Sequence, residues 1–116
     1  EAAARPPLYA CHCLNCQQRS GSSFAAQARW LADSVELSGE FREWTRAGED
    51  GGRAVFRFCP TCGSTVAYTN GNMPGVTAIA IGAFADPDFR APDYSVFEAR
   101  KHGWVIIVSD GVEHID

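Results

Sequence analysis

The chain has 116 residues, is 46% hydrophobic and carries a formal net charge of −4 at pH 7. Its length and apolar content suit one domain with one modest core, and no apolar run approaches the roughly 18 residues of a membrane span. Because 10 basic residues are outnumbered by 14 acidic ones and form no run, we expect neither nucleic acid nor an anionic membrane as a partner.

The five cysteines indicate the expected compartment. Their number is odd, and they cluster as C-x-C-x-x-C and C-x-x-C. Such clusters are typical of metal ligation in a reducing compartment rather than of a disulfide framework. No signal-peptide pattern is present, so we expect a cytoplasmic protein.

In chain order, the sequence predicts short strands joined by tight turns. Residues 1–7 are rich in Ala and Pro and are expected to be extended, and residues 17–22 predict one helical turn that ends at Gly21. Segments rich in β-branched and aromatic residues predict strands at 24–30, 35–37, 41–45, 54–58, 65–69, 76–81, 95–99 and 104–108. Turn pairs such as Gly51-Gly52 separate them. This pattern predicts a mainly β fold of several small sheets.

The segment CPTCG at 59–63 lies between two predicted strands and predicts a zinc knuckle. In such a turn Cys59 and Cys62 point the same way, and Gly63 tolerates the positive φ that the turn often needs. A thioredoxin-like redox pair would require a long helix after the motif, and none is predicted. Two ordinary buried cysteines are the remaining alternative.

The segment CHCLNC at 11–16 places three thiols within six residues. Cysteines this close form strained disulfides at best, whereas three thiolates can surround one Zn²⁺. Neighbouring side chains alternate on an extended segment, so His12 is expected to point away from an ion held by Cys11 and Cys13. His12 would then lie outside the ligand set or in solvent.

Spacing permits two arrangements of the metal ligands. Cys13 and Cys16 can share one closed four-cysteine site with Cys59 and Cys62, which would be structural. Alternatively, Cys11, Cys13 and Cys16 hold one ion with a vacant fourth position, as in catalytic sites, and Cys59 with Cys62 hold another. The spacing does not distinguish them.

These motifs resemble those of the glutathione-dependent formaldehyde-activating enzymes, whose domain is shared with centromere protein V. The segment CHCLNCQQRSGS is similar to the family's C-H-C-x-x-C-[RQ]-[RK]-x-S-G-S, and RFCPTCGS to its F-C-x-x-C-G-S. GAFADP at 82–87 resembles G-x-x-D-D-P, with Ala85 in place of the first Asp. Ser95 stands roughly where many relatives carry a histidine.

The resemblance implies a β-tent fold of several small antiparallel sheets with zinc knuckles, formed by residues 1–116 as a single zinc-binding domain. It also implies up to two zinc ions. Cys11, Cys13 and Cys16 would hold the catalytic one, and Cys59 and Cys62 the structural one together with an earlier C-x-C. That C-x-C does not occur in the ten residues before Cys11. We expect an N-terminal C-x-C strand to be missing from this chain.

The implied activity is that of an S-hydroxymethylglutathione synthase, which is a carbon–sulfur lyase. Such an enzyme joins glutathione, or another thiol, to formaldehyde or a related aldehyde, or cleaves the adduct that they form. Three thiolates leave a zinc complex with a net negative charge, which suits a fourth sulfur ligand better than activated water. Glutathione carries two carboxylates, which guanidinium groups can pair. Candidate glutathione contacts are Arg19, Ser20, Ser22 and Arg57, although Arg57 can equally form a cross-strand pair.

Two other classes of function remain open. One is a non-catalytic zinc-stabilised β module for protein or glutathione binding, which predicts a closed four-cysteine site and an exposed apolar patch. The other is a redox or metal-buffer protein with readily oxidised thiols. A small-molecule thiol and an aldehyde are the expected partners, and the sequence permits a homodimer without indicating the oligomeric state.

Overall fold

A computed structural model describes residues 5–47 and 52–116. One α-helix, α1, spans Leu14–Ser20. The strands are β1 (Leu8–Cys11), β2 (Ala25–Leu31), β3 (Arg42–Ala47), β4 (Arg53–Phe58), β5 (Thr65–Asn70), β6 (Val76–Ala80), β7 (Tyr94–Val96) and β8 (Glu113–His114). Three short 3₁₀ segments lie at Ala32–Ser34, Ile81–Phe84 and Glu98–Arg100. The mainly β prediction is confirmed.

The strands hydrogen-bond into one sheet in the order β3-β4-β5-β6-β2-β1-β7-β8. Pairing is antiparallel from β3 through to β1, whereas β1–β7 and β7–β8 are parallel. The structure thus joins strands that were expected to form several small antiparallel sheets. The reason is the position of β1, which pairs with β2 on one side and with β7, from the C-terminal part of the chain, on the other.

The sheet presents two different faces. Directly opposed residues share a face, and neighbours along a strand alternate. Leu8, Ala10, Ala28, Ala67 and Ile79 lie on the core face and are buried. The opposite face is called here the helix face, because a side chain of α1 contacts its aromatic rings. It carries Cys11, Gln27, Phe56, Tyr68 and Ala78.

Asp93 fixes the beginning of β1 to the segment before β7. Its Oδ2 accepts hydrogen bonds from the backbone N–H of Leu8 at 3.0 Å and from Nη1 of Arg90 at 2.9 Å. Burial raises the pKa of Asp93, but the bonds from Arg90 and Leu8 outweigh it and leave that pKa below its ordinary value. The Asp93 carboxylate therefore stabilises this junction while it is ionised.

Some sequence predictions differ from the observed elements. Residues 35–37 and 104–108 were predicted as strands and form none, because neither segment pairs with an edge of the sheet. The predicted strand 95–99 is a strand only to Val96 and turns into 3₁₀ helix at Glu98–Arg100. The predicted extended run at 1–7 and the Gly51-Gly52 turn lie partly outside the described residues.

No helix in the described part of the chain is long and apolar enough to cross a membrane.

Candidate metal centre and ligand pocket

The backbone around α1 brings the three early cysteines together. Cys13 is the N-cap of the helix, in an extended conformation, and its Sγ accepts a hydrogen bond from the N–H of Cys16 at 3.3 Å. Gly21 ends the helix in the left-handed region, with φ 68°, and its N–H donates to the carbonyl of Gln17. The predicted stop at Gly21 is confirmed, although the helix begins earlier than predicted, at Leu14.

The sulfur atoms of Cys11, Cys13 and Cys16 all lie within 4.8 Å of one another. Two sulfurs on one tetrahedral Zn²⁺, each at about 2.3 Å, are roughly 3.8 Å apart, so the trio can close on an ion with small side-chain adjustments. Within residues 5–47 and 52–116, no other Cys, His, Asp or Glu joins this group. The cluster could therefore hold a metal ion, zinc included, and leave one coordination position free.

Hydrogen bonds within the trio shift the pKa values of Cys11 and Cys13 in opposite directions. The bonds from Cys11 and then Cys16 lower the pKa of Cys13 to about 2. The pKa of Cys11 is raised, because its hydrogen bonds with Cys13 and Cys16 favour the thiol and burial adds to them. One thiolate is thus stable within the cluster, whereas three adjacent thiolates repel one another and need a cation between them.

His12 lies on the opposite side of the strand from the three cysteines. Its ring is fully buried, contacts Phe24 and lies with Nε2 2.9 Å from Oγ of Ser95. The expectation that His12 points away from the cysteines agrees with this geometry, and its ring is not in solvent. The Ser95 hydroxyl also lowers the pKa of Glu98, whose Oε2 is 2.6 Å from Nδ1 of His114.

These groups form a polar chain from the buried His12 and Ser95 through the half-buried Glu98 to the exposed His114. The Glu98 carboxylate can only accept, so a Ser95 hydroxyl directed at it leaves Oγ to accept from Nε2–H of His12. Burial raises the pKa of Glu98, but the bonds from His114 and Ser95 outweigh it and lower that pKa. The burial of His12 lowers the pKa of its ring. A neutral His12 is thereby held behind the cysteine loop.

Gln17 ties α1 to the neighbouring segments. Its Nε2 donates to the carbonyls of His12 at 2.8 Å and Arg100 at 3.0 Å, and its Oε1 lies 2.9 Å from Nε2 of His102. One side chain therefore connects the helix, the cysteine loop and the segment after β7. Gln17 is not among the site residues predicted from the sequence.

A cavity of about 350 Å³ opens beside α1. Its walls include Arg19 and Ser20 from the helix and Gly63, Ser64 and Thr65 from the turn after Cys62. This volume falls within the usual range for small-molecule sites. A second cavity, of about 520 Å³, is lined by Tyr9 and Arg29 among others, and neither cavity has any of the five cysteines in its wall.

Ser20 and Ser22, two of the predicted glutathione contacts, differ in their position relative to this cavity. Ser20 lines the cavity, but its hydroxyl already donates to the carbonyl of Cys16 at 2.7 Å and accepts from the N–H of Ser22 at 3.2 Å. Ser22 is exposed and is not among the residues that line this cavity. Ser20 therefore acts first as a helix-terminating group.

Arg57 forms the cross-strand pair that the sequence allowed. Its Nε lies 3.1 Å from Oε2 of Glu43, the directly opposed residue on β3. Neighbours alternate, so Arg57 projects from the core face while Phe56 and the ring contact of Arg19 lie on the helix face. The structure thus separates Arg57 from the cavity that Arg19 lines.

Three buried polar atoms on the helix face have no hydrogen-bond partner in the part of the chain that the structure describes: Nε of Arg19, the hydroxyl of Tyr68 and Oε1 of Gln27. Buried polar atoms are nearly always paired, so a group of three points to a ligand or water. Burial raises the pKa of Tyr68, which keeps its hydroxyl protonated. Sequence reasoning missed Tyr68 and Gln27; the available signal was one buried glutamine within the strand AAQARWL.

The second cysteine pair forms a separate turn. The N–H of Gly63, at φ 80°, donates to the carbonyl of Cys59 at 2.8 Å, as expected for a knuckle. Cys62 is exposed, and the hydroxyl of Ser64, 3.3 Å from its Sγ, lowers its pKa. Among the described residues, no third ligand accompanies Cys59 and Cys62, and neither joins the early trio.

Comparison with known proteins identifies one family. No curated protein matches the chain significantly. The family model described as glutathione-dependent formaldehyde-activating enzyme matches residues 2–100. This span includes the three-cysteine cluster, the knuckle turn, Arg19 and the histidine–serine pair. The chain therefore belongs to the glutathione-dependent formaldehyde-activating enzyme family.

Proposed function

We propose that this protein is a zinc-dependent carbon–sulfur lyase, which joins glutathione or another thiol to formaldehyde or a related aldehyde and cleaves the same bond in reverse. The observation that carries the proposal is the trio of Cys11, Cys13 and Cys16, which leaves one position for a fourth ligand. The adjacent cavity with Arg19 in its wall supports it, because glutathione is an anionic thiol.

The residues present fit a zinc ion better than a hard cation such as Mg²⁺, because all three ligands are sulfur. A zinc ion held by the trio would keep a fourth sulfur ligand in its thiolate form at neutral pH. The reaction itself is an addition: the sulfur lone pair attacks the carbonyl carbon, and the π electrons move to the oxygen. The proton lost by the thiol returns through solvent to that oxygen, giving a hydroxymethyl thioether.

The chain's own side chains have distinct roles in this proposal. Arg19 pairs a substrate carboxylate, and Ser20 with Ser22 shape the turn beside it. The hydroxyl of Tyr68, which is buried and has no partner among the described residues, donates a hydrogen bond to the aldehyde oxygen as negative charge develops there. These residues bind and orient the reactants.

Cys59 and Cys62 would hold a second, structural zinc with ligands from outside the described residues, since a structural site needs four. A reducing cytoplasm would keep all five thiols available for metal, which supports the expected location.

The proposal is tested by comparing Cys16→Ser with Cys62→Ser. We expect Cys16→Ser to lose one zinc per chain and the catalysed reaction, measured as exchange of ¹³C-formaldehyde with glutathione by NMR above the uncatalysed rate. Cys62→Ser should keep the three-sulfur ion, as counted by X-ray absorption. Unchanged exchange in Cys16→Ser would refute the proposal, and identical metal loss in both variants would indicate one shared four-cysteine site.

The same measurements address the alternative function. A wild-type protein that contains zinc and binds glutathione, but does not accelerate exchange, would be the non-catalytic binding module instead.

A further inference from the structure

Two arginines from different elements converge on one buried ring. Phe56, on β4, is only 3% exposed and lies between Trp44 and Tyr68, with ring centres 5.4 and 4.8 Å away. The guanidinium carbon of Arg19, from α1, is 4.9 Å from the centre of the Phe56 ring, and that of Arg46, from β3, is 5.1 Å from the same point. The two guanidinium carbons therefore lie beside the same ring, within about 10 Å of each other.

Neither cation has an acidic partner within residues 5–47 and 52–116. Arg57 pairs there with Glu43 at 3.1 Å and Arg90 with Asp93 at 2.9 Å, whereas four other arginines also have no ion pair within these ranges: Arg29, Arg42, Arg53 and Arg100. Two neighbouring positive charges repel each other, and the effect is larger beside a water-poor aromatic surface than in open solvent. This arrangement favours a bound anion, even though acidic residues outnumber basic ones in the chain.

Contacts with the rings explain only part of the arrangement. A guanidinium over an aromatic ring at an exposed site is a weak attraction and requires no ligand. However, Nε of Arg19 is buried and donates to no atom of the described chain. An unpaired buried donor is unfavourable, so this N–H indicates a hydrogen-bond acceptor that a bound molecule supplies.

The position of Arg19 links these cations to the sulfur site. Arg19 follows Cys16 by three residues, so both project from the same side of α1. Arg46 lies further along the aromatic row. An extended ligand whose sulfur occupies the free position of the trio would pass Arg19 first and Arg46 next.

We propose that Arg46 and Arg19 together form a carboxylate-binding subsite over Phe56, which selects thiols that carry carboxylates over neutral thiols. This inference rests on the proposed function for the place of the thiol, and it deepens it by assigning Arg46 as a specificity-determining residue. Each guanidinium can offer two parallel N–H donors to a carboxylate, so the preferred substrate is an acidic thiol peptide.

The test uses the zinc-loaded full chain and S-methylglutathione, which keeps both carboxylates and has no free thiol. We expect Arg46→Gln and Arg19→Gln to weaken its binding, measured by calorimetry, about 10-fold or more, since hydrogen bonds between charged groups are the strong ones. The dimethyl ester of S-methylglutathione should bind the wild type similarly weakly. The control is Arg53→Gln, an exposed arginine that removes the same charge from the opposite face, and it should bind like the wild type.

Three results of the binding experiment would refute the carboxylate-binding subsite. Equal binding by Arg46→Gln and wild type, equal binding of ester and acid, or no binding of S-methylglutathione at all would overturn the subsite. Kinetics separate this result from the proposed function: the subsite predicts that Arg46→Gln lowers kcat/KM for glutathione about 10-fold and leaves it unchanged for 2-mercaptoethanol. Equal loss with both thiols refutes the subsite alone. Arg46-dependent binding without any turnover supports the subsite and refutes the lyase proposal.

Discussion

Replacing Ser95 with alanine removes one hydroxyl from the fully buried pair that Ser95 forms with His12. In the wild type, Nε2–H of His12 donates to Oγ of Ser95 over 2.9 Å, while Nδ1 of the same ring has no partner among the described atoms. In Ser95→Ala both ring nitrogens would be buried without a partner. Glu98 would also lose the hydroxyl that donates to it.

The magnitude follows from that loss. A buried donor left without an acceptor costs about 1–3 kcal/mol of the free energy of unfolding. For a chain of this length, each kcal/mol shifts Tm by roughly 3–5 °C, so we expect Ser95→Ala to lower Tm by about 3–15 °C. His12 lies between two proposed zinc ligands, and groups that orient metal ligands typically change metal affinity about 10- to 100-fold, so zinc affinity should also fall.

The assay is thermal unfolding of both proteins in the zinc-loaded state, with zinc affinity measured by competition with a chelator. Ser38→Ala, at an exposed serine in a loop, is the control and should leave Tm and affinity unchanged. A double-mutant cycle with His12→Ala isolates the pair, because Ser95→Ala should matter less once His12 is gone. If Ser95→Ala unfolds within 1 °C of Ser38→Ala, the buried pair does not stabilise the fold as argued here.

Three further predictions concern other parts of the molecule. Gly21→Ala should destabilise the protein by about 1 kcal/mol in urea unfolding, because Gly21 has φ 68°, which alanine adopts only with strain. Gly103→Ala is the control and should leave stability unchanged. An added Cβ meets no other atom at either position, so the two variants differ in backbone strain alone. Asp93→Asn should destabilise the protein at pH 7, and the difference in urea midpoint should disappear as the pH falls below about 4. The folded-state pKa of Asp93 is lowered, so the stability it contributes is present above its unfolded pKa and lost on acidification; a constant difference down to pH 2 would contradict this assignment. Tyr68→Phe should keep its zinc and its stability, because the lost hydroxyl has no partner among the described residues. It should catalyse formaldehyde exchange about 10- to 100-fold more slowly than the wild type. A stability loss above about 1 kcal/mol would show that the hydroxyl is structural.

Strand composition located most of the sheet, but strand pairing was not available from the sequence. Residues 104–108 keep the expected alternation, since Val105 is buried while Trp104 and Ile106 are exposed. They still form no strand, because a strand requires a partner edge and the sheet ends at β8. The converse error is β1, because Leu8–Cys11 were not predicted as a strand. One of its neighbours, β7, begins 83 residues after β1 ends, and local composition gives no signal of that pairing.

The candidate site also combines residues that local sequence brings together with residues that only strand pairing brings together. The three early cysteines could be grouped from sequence alone, because they lie within six residues and the local backbone determines their arrangement. Tyr68 and Gln27 could not, since the register of β1, β2, β6 and β5 places them on the same face as Cys11. Arg46 reaches that face only through the pairing of β3 with β4. The sequence left two ligand arrangements open for Cys13 and Cys16, and the three-dimensional grouping with Cys11 favours the one with a free position.

The pair between His12 and Ser95 joins residues 83 positions apart, whereas the three cysteines are separated by no more than five. During synthesis the three cysteines therefore leave the ribosome long before Ser95, which contacts His12 on the other side of the cysteine loop. An ion captured early would be held by a flexible loop and would become fixed only when β7 docks beside β1. Slow-exchanging metal should thus be a property of the completed chain, and a nascent chain that stops before residue 94 should give up its zinc readily to a chelator.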